Sequence, residues 1–486
     1  MQQLAPQGRA HLFQAPGRGR PSVREACGSR GRGTRCCAAV QAAGALQALI
    51  DWAESNKIAT DKLAVSESLS SGAPLLVAAR DIPAGDAVLA VPDALWLSPA
   101  AAARAPIGPK VAGLEPWLQL ALLLLHERRG GGGGAVPAAY LAALPADPDS
   151  PLFWSDGEID LLRGTQLLPQ VYGYRQFFQQ TFADLEASLF SQDRSLFPAE
   201  AFTYEAFLWA AAAVRGRAHA PLDGAAVALV PLADQLPHRR DANCLWRTKQ
   251  SGLFGRGQTL AIEAARAIRK GEALAMDYAP GRLDSAVLLD YGVVDADWGQ
   301  GGYSLTLSLP ESDRYRDDKL DVLERAGLGG AATFVVKKGE EPPEEMLGFL
   351  RLAQLTGGDC FLLEAIFEAE TWSFMLQPVS QPNEEALIVA CAAAARAALA
   401  GYGGGVEADL ALLRGGGLAP GSREEAAVRV RLGEEEALDY FLGWLEARQQ
   451  DLKGLEYYQE RRLKRLGLMD EDGGTTYDSF FKDGIA

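Results

Sequence analysis

Six side chains able to bind, orient or titrate fall at the ends of predicted elements: Arg217, Asp234, His238, Tyr278, Asp290 and Tyr291. The set offers no obvious nucleophile. The chain has no HExxH, no GxSxG and no GxxxxGK[ST], which weakens hydrolase and nucleotide-transfer readings. Gly255-Arg256-Gly257 follows no βαβ pattern and is not a dinucleotide fingerprint. Four His (11, 126, 219, 238) and six Cys occur, with no CxxC or metal-ligand spacing. Taken singly, each of the six has an ordinary explanation. Arg217 is a helix-end charge, Asp234 a cap, His238 a loop residue, Asp290 a surface carboxylate, and the tyrosines are core aromatics with tied hydroxyls. Their grouping singles them out.

Two stretches must position them. Residues 229–238, LVPLADQLPH, run apolar and then break into Asp234, Pro237 and His238. Residues 270–292, KGEALAMDYAPGRLDSAVLLDYG, pair a β-like run at 273–278 with a helix-like 283–291. A helix at 205–217 delivers Arg215-Gly216-Arg217. Upstream, a short helix is predicted at 45–55, and 75–81 with 87–98 reads as a hairpin turned by Ile-Pro-Ala-Gly-Asp. A buried helix follows at 116–129, then a five-glycine loop at 130–134 and helical structure over 138–203. In that region Trp154-Ser155 caps a helix at 156–163, and the aromatics of 172–182 form a core stripe rather than a binding box. Strands are expected within 253–267 and, last, at 303–310. Helices take over at 344–354, 384–400 and 434–465. The expected architecture is an α+β domain at 45–310 with a helical insertion at about 100–225, an all-helical domain at 315–467 and a polar tail at 468–486.

Composition is that of a globular chain, 48% hydrophobic and 23% charged, and no run reaches the length of a membrane span. The net charge of −16 conceals an asymmetry, because residues 1–48 hold seven Arg against one acid, Glu25. That Arg-rich, acid-poor leader, ending near Cys36-Cys37, predicts an organellar transit peptide at 1–44; the alternative is a basic arm. An acidic body opposes a phosphate backbone, so nucleic acid is not an expected partner. Cys244, Cys360 and Cys391 are expected as buried thiols.

Several stretches, in order, resemble the plant and algal Rubisco large-subunit lysine methyltransferase family of SET-domain proteins. LVAARDIPAGDAVLAVPDALWLSP resembles its opening strands, and PLFWSDGEIDLLRGTQLL its tryptophan-serine and Gly-Thr-Gln helix. LVPLADQLPH stands at its Asp-x-x-Asn-His motif, and GEALAMDYAPGRLDSAVLLDYG at its tyrosine block. GDCFLLEAIFEAETW, QPVSQPNEEAL and LEYYQERRLKRLGL resemble its helical substrate-binding domain. The resemblance implies an α+β SET domain with a helical insertion, followed by an all-helical substrate-binding domain. It also implies S-adenosyl-L-methionine as cofactor and a lysine-bearing chloroplast protein of the stroma, Rubisco large subunit or fructose-bisphosphate aldolase, as substrate. By position Tyr278 is the catalytic tyrosine and Tyr291 lines the lysine channel. Gly72, Ala73, Pro74, Arg217, Pro237 and His238 are implied to hold the cofactor, and Arg217 and Asp234 also shape the lysine pocket. Ala73-Pro74 replaces a Gly-x-Gly-like turn and Pro237 replaces the motif asparagine. These departures motivate a second reading, a SET-derived protein-binding module with weakened or lost methyl transfer.

Overall fold

The structure, a computed structural model, describes residues 32–67, 74–130, 134–219, 227–251, 257–295, 299–367 and 370–469. Most of the expected leader, the middle of the five-glycine loop, the end of the tail, and Gly72 and Ala73 lie outside these residues. The first helix, Arg32–Ser55, starts inside the stretch assigned to the leader and buries Leu46, Leu49, Ile50 and Ala53.

Nine strands follow among the described residues. They are β1 (Leu63–Glu67), β2 (Pro74–Ala78), β3 (Ala87–Pro92), β4 (Ala218–His219) and β5 (Ala228–Leu229). After them come β6 (Cys244–Ser251), β7 (Gly257–Ala264), β8 (Tyr303–Ser308) and β9 (Ala331–Val336). The hairpin expected between 75–81 and 87–98 does not form. β2 pairs antiparallel with β1 on one edge, and on the other it receives the tyrosine block, where Leu274 N–H donates to Leu76 O at 3.0 Å and Val77 bridges Ala273. With both edges of β2 taken, β3 turns away to the sheet β3-β7-β6. The Ile-Pro-Ala-Gly-Asp segment is therefore a corner, in which Gly85 at φ +82° donates to Ala264 O at 2.8 Å.

Between β3 and β4 lies the helical insertion. The helix Pro116–Arg128 is buried at every position from 118 to 127, as its near-continuous apolar run requires. The helix expected at 156–163 is shorter. Ser155 and Glu158 form a capping box on Asp156–Ile159, and a 3-10 turn, Asp160–Leu162, completes it. The aromatic stripe is core, with Phe178 packed on Trp117 at 5.9 Å and Phe207 at 6.4 Å between ring centres.

The second half is helical with one addition. β8, placed at the end of the first domain by sequence, pairs antiparallel with β9, and its Tyr303 and Leu305 pack on the second-half core. The helix expected over 434–465 is displaced: one helix spans Arg423–Gln450, and Tyr458–Arg465 forms another. Arg423–Gln450 joins the two halves, burying Ala427 and Val430 in the first core and Leu438, Phe441 and Leu445 in the second. Between these positions Gly433 and Gly301 meet backbone to backbone, and a Cβ on Gly301 would lie 2.6 Å from Gly433 Cα.

Beside that contact, Glu434 accepts from Gln166 N–H at 2.9 Å and from the Tyr402 hydroxyl at 2.6 Å. Burial pushes its carboxyl up from 4.5 to about 7, and burial with nearby Asp409 does the same to Glu435. A carboxyl raised on folding contributes stability that is full below its unfolded value near 4.5 and is lost as pH rises through about 7. Glu434→Gln keeps the shape without the charge. Its melting temperature relative to wild type is expected to climb as pH is raised across that window in a thermal scan.

Candidate active site

The helix Tyr204–Arg217 ends on the site, with Arg215 and Arg217 on either side of Gly216. A Cβ on Gly216 would fall 2.7 Å from Asp290 O, so only glycine lets the helix Asp284–Tyr291 approach this closely. The two helices are fastened there. Asp290 pairs with Arg215 Nε at 2.5 Å and Arg282 Nη2 at 2.6 Å, while the Arg215 guanidinium lies 4.0 Å over the Tyr174 ring. Asp290 is thus a clamp that fixes the helix carrying Tyr291, and it is not a surface carboxylate.

From β5 the chain enters LVPLADQLPH through Leu232, a fully buried residue held at φ +72°. A branched non-glycine residue in the left-handed region costs about 1–3 kcal/mol, strain that clusters at functional sites. The turn it makes puts Ala233–Gln235 into a 3-10 turn and buries Asp234. Asp234 Oδ2 accepts from the Tyr140 hydroxyl at 2.5 Å, Oδ1 from Gln235 Nε2 at 2.9 Å, and its carbonyl from Arg217 Nη1 at 2.8 Å. Burial pushes this carboxyl up from the usual range, against the opposing charge of Arg217.

Residues 237–239 and the tyrosine block then meet at Met276. Met276 N–H donates to Pro237 O at 3.1 Å and Arg239 N–H to Met276 O at 3.0 Å. Proline fits because this pairing uses residue 237 only as an acceptor. The run 273–278, expected as a strand, makes single bridges to alternate sides, at Ala273 to Val77 and at Met276 to His238 and Cys244. Asn243 pins it, donating to Ala273 O at 2.8 Å and accepting Ala275 N–H at 3.0 Å.

His238, Tyr278 and Tyr291 consequently stack on one another, with ring centres 5.6 to 6.1 Å apart and planes within 28°. The Tyr278 hydroxyl donates to Leu236 O, and the Tyr291 hydroxyl reaches Tyr278 O at 3.5 Å. Burial, then the Asp234 charge, raises the Tyr278 hydroxyl far above its ordinary value and keeps it protonated. His238 Nδ1 accepts the Tyr278 N–H at 3.2 Å, which puts the proton of the neutral ring on Nε2. Burial lowers this imidazole against the opposing pull of Asp277, so the neutral form is favoured. Nε2 is buried without a protein partner, a donor left over for something else.

Pro74 opens β2, and the antiparallel bridge of Val77 to Ala273 directs that end of the strand along the block towards Met276. Three residues of the arrangement carried no sequence signal: Tyr140, Asn243 and Arg240. Their partners lie up to 94 residues away, and no local pattern encodes such contacts. Arg240 donates to Ala279 O at 2.8 Å and Arg282 O at 2.6 Å, and reaches the buried Asp284 carboxylate at 3.4 Å.

The fold and this site define a SET-domain methyltransferase. Residues 75–279 match the SET domain family and residues 310–438 the Rubisco LSMT substrate-binding family. The chloroplastic fructose-bisphosphate aldolase lysine N-methyltransferase of Arabidopsis thaliana is 36% identical, over 82% of either chain. The chloroplastic Rubisco large subunit N-methyltransferase of Nicotiana tabacum is 34% identical over 88% of this chain and 87% of its own. The human actin-histidine N-methyltransferase is more distant, at 27% over 86% of this chain and 70% of its own. Among solved structures, the SET domain of LSMT bound to lysine and AdoHcy superposes with a TM-score of 0.78 at 32% identity, over 91% of this chain and 99% of that one. Rubisco LSMT bound to AdoMet gives 0.76 at 34% identity, over 88% and 97%. The chain belongs to this family of S-adenosylmethionine-dependent protein-lysine N-methyltransferases, and the architecture implied by the resemblance is observed, with the β8–β9 pair added to the helical second half.

Arg240 is the cation beside the buried Asp284 and also ties down the turn after Tyr278. Arg240→Ala is expected to cost about 3–5 kcal/mol of stability, as does stripping one partner from a buried pair. Chemical denaturation of wild type and variant measures it.

Proposed function

We propose that Tyr278 is the catalytic tyrosine, that Tyr291 lines the lysine channel with Arg217 and Asp234 shaping its pocket, and that His238 holds the adenine end of the cofactor. The observation that carries this reading is the three-ring stack, closed by a buried tyrosine hydroxyl that stays protonated and a histidine with one unpartnered buried donor. The residues present suit the cofactor: a neutral imidazole with a free Nε2–H matches an acceptor nitrogen of a purine. Pro74, the first residue of β2, would hold the cofactor together with Gly72 and Ala73, and Pro237 contributes its carbonyl to the pairing with Met276.

S-adenosylmethionine supplies a methyl on a sulfonium, and the amine lone pair forms the N–C bond as the S–C pair returns to sulfur. Such an in-line displacement is catalysed mainly by alignment, which asks for rigid rings rather than a nucleophile. Lysine, ordinarily with a pKa of about 10.4, must arrive neutral, and an apolar channel lined by Tyr278 and Tyr291 favours that form. The Tyr278 hydroxyl oxygen orients the amine and faces the partial positive charge on the methyl in flight. Asp234, a buried carboxylate, favours the cationic product amine.

The protein substrate is a lysine-bearing chloroplast enzyme, Rubisco large subunit or fructose-bisphosphate aldolase, met in the stroma. The two relatives with those substrates support this, as does an acidic body unsuited to nucleic acid. Among the described residues no helix is long and apolar enough to cross a membrane.

Two measurements test the reading. Radiolabelled methyl from S-adenosylmethionine should appear on Rubisco large subunit or aldolase incubated with the protein, and no label on either would sink the substrate assignment. Tyr278→Phe should lower kcat roughly 10²- to 10³-fold with little change in cofactor affinity, the scale of losing one transition-state contact. A variant as fast as wild type would remove Tyr278 from the chemistry.

A further inference from the structure

Tyr140 lies on the short helix Ala138–Ala143 of the insertion, in the sequence AAYLAA, with its side chain wholly buried. Its hydroxyl donates to Asp234 Oδ2 at 2.5 Å, across 94 residues of chain. Asp234 is also fully enclosed, and the nearest guanidinium, that of Arg217, spends its hydrogen bond on the Asp234 carbonyl rather than on the carboxylate. The charge is therefore held by two neutral donors, Tyr140 and the Gln235 amide at 2.9 Å. An apolar pair of the same shape would avoid the desolvation of a carboxylate altogether. What the carboxylate does accomplish is electrical: it is the charge that most raises the cost of ionising the Tyr278 hydroxyl.

We infer that Tyr140 is a positioning residue for methyl transfer, holding charged the Asp234 carboxylate, which lies two residues before the Leu236 carbonyl that takes the Tyr278 hydroxyl. This rests on the reading of Tyr278 and Asp234 given above. Tyr140 touches neither the amine nor the methyl; it acts through Asp234. Its hydroxyl stabilises the ionised carboxylate against the burial that pushes the group towards its neutral form. Replacing Tyr140 by Phe leaves the ring in place and removes that support. Asp234 then takes up a proton at a higher pH, and the product ammonium loses its counter-charge over that range.

The test is a double-mutant cycle on the full chain with Tyr140→Phe, Asp234→Asn and the pair, using radiolabelled S-adenosylmethionine and the methylated protein substrate. Tyr140→Phe should lower kcat about tenfold to a hundredfold, the scale of a hydrogen bond to a charged group. The acid limb of its pH–rate profile should move to higher pH, with cofactor affinity unchanged. In the Asp234→Asn background the same change should alter kcat by less than about twofold, since the group it acts through is gone. An equal loss in both backgrounds, or an unmoved acid limb, overturns the inference and leaves Tyr140 a packing residue. Turnover unaffected by Asp234→Asn alone overturns the reading of the site beneath it, and the inference with it. Should Tyr140→Phe fail to fold, Gln235→Leu removes the other neutral donor; the same shift of the acid limb is then required, and its absence refutes the proposal.

Discussion

Met276 gives its amide hydrogen to Pro237 O and takes the Arg239 amide on its own carbonyl, at 3.1 and 3.0 Å. Through this pair of bonds two segments some forty residues apart become neighbours, and the His238 and Tyr278 rings are placed by it. His238 lies between the two bonded residues, so its side chain is delivered to the face where Tyr278, two positions past Met276, also emerges. The Tyr278 amide then closes onto His238 Nδ1, which fixes the tautomer as well as the ring. Backbone pairing thus sets the orientation of an imidazole and a phenol together, with no side chain needed to hold either in plane. Asn243, bonded on both sides of Leu274, keeps the block from sliding relative to β6.

Around that junction the charges are few, buried and individually accounted for. Asp290 has two arginines and serves as a clamp, while Asp284 has Arg240 and anchors the turn after the tyrosine. Asp234 differs from both in receiving only neutral donors on its carboxylate. An anion solvated by dipoles keeps an outward field that an ion pair would cancel, and of these three carboxylates only Asp234 lacks a direct cation. The same enclosure keeps the phenol protonated and the imidazole neutral. A reaction that consumes a neutral amine and yields a cation is suited to such a setting.

The two stretches that carry the site were legible because their types change abruptly at element ends, from apolar runs to Asp, His and Tyr. Helices with a full apolar face, such as Pro116–Arg128 and Glu344–Ala353, were legible for the same reason, since burial imposes a period on the sequence. Strand partners were not. β2 has a hairpin-like neighbour in β3, yet it pairs with β1 and the tyrosine block, and nothing local distinguishes an edge that will be filled from afar. β9 was missed because AATFVV reads as readily as part of a helical half, and β8 supplies its reason to extend. Tyr140 was invisible on other grounds. A tyrosine among alanines is an ordinary core residue until the carboxylate 94 positions later is seen against its hydroxyl.

The junction of the two halves follows from one helix having two masters. Arg423–Gln450 places Ala427 and Val430 in the first core and Leu438, Phe441 and Leu445 in the second, so neither half reorients without drawing this helix from its packing. At its Gly433 the halves touch backbone to backbone, through Gly301, as they also do at Gly164 and Gly401. Gly301 lies ten residues after Tyr291 and two before β8, on the short path from the site into the second half. Gln166 tightens the same path, exchanging two hydrogen bonds with Ser304 of β8 at 2.7 and 2.8 Å while its own amide is held by Glu434. The insertion, the strand leaving the site and the long helix therefore share one set of bonds. The second half is thereby held at a distance from the site that is fixed by backbone contact rather than by a linker.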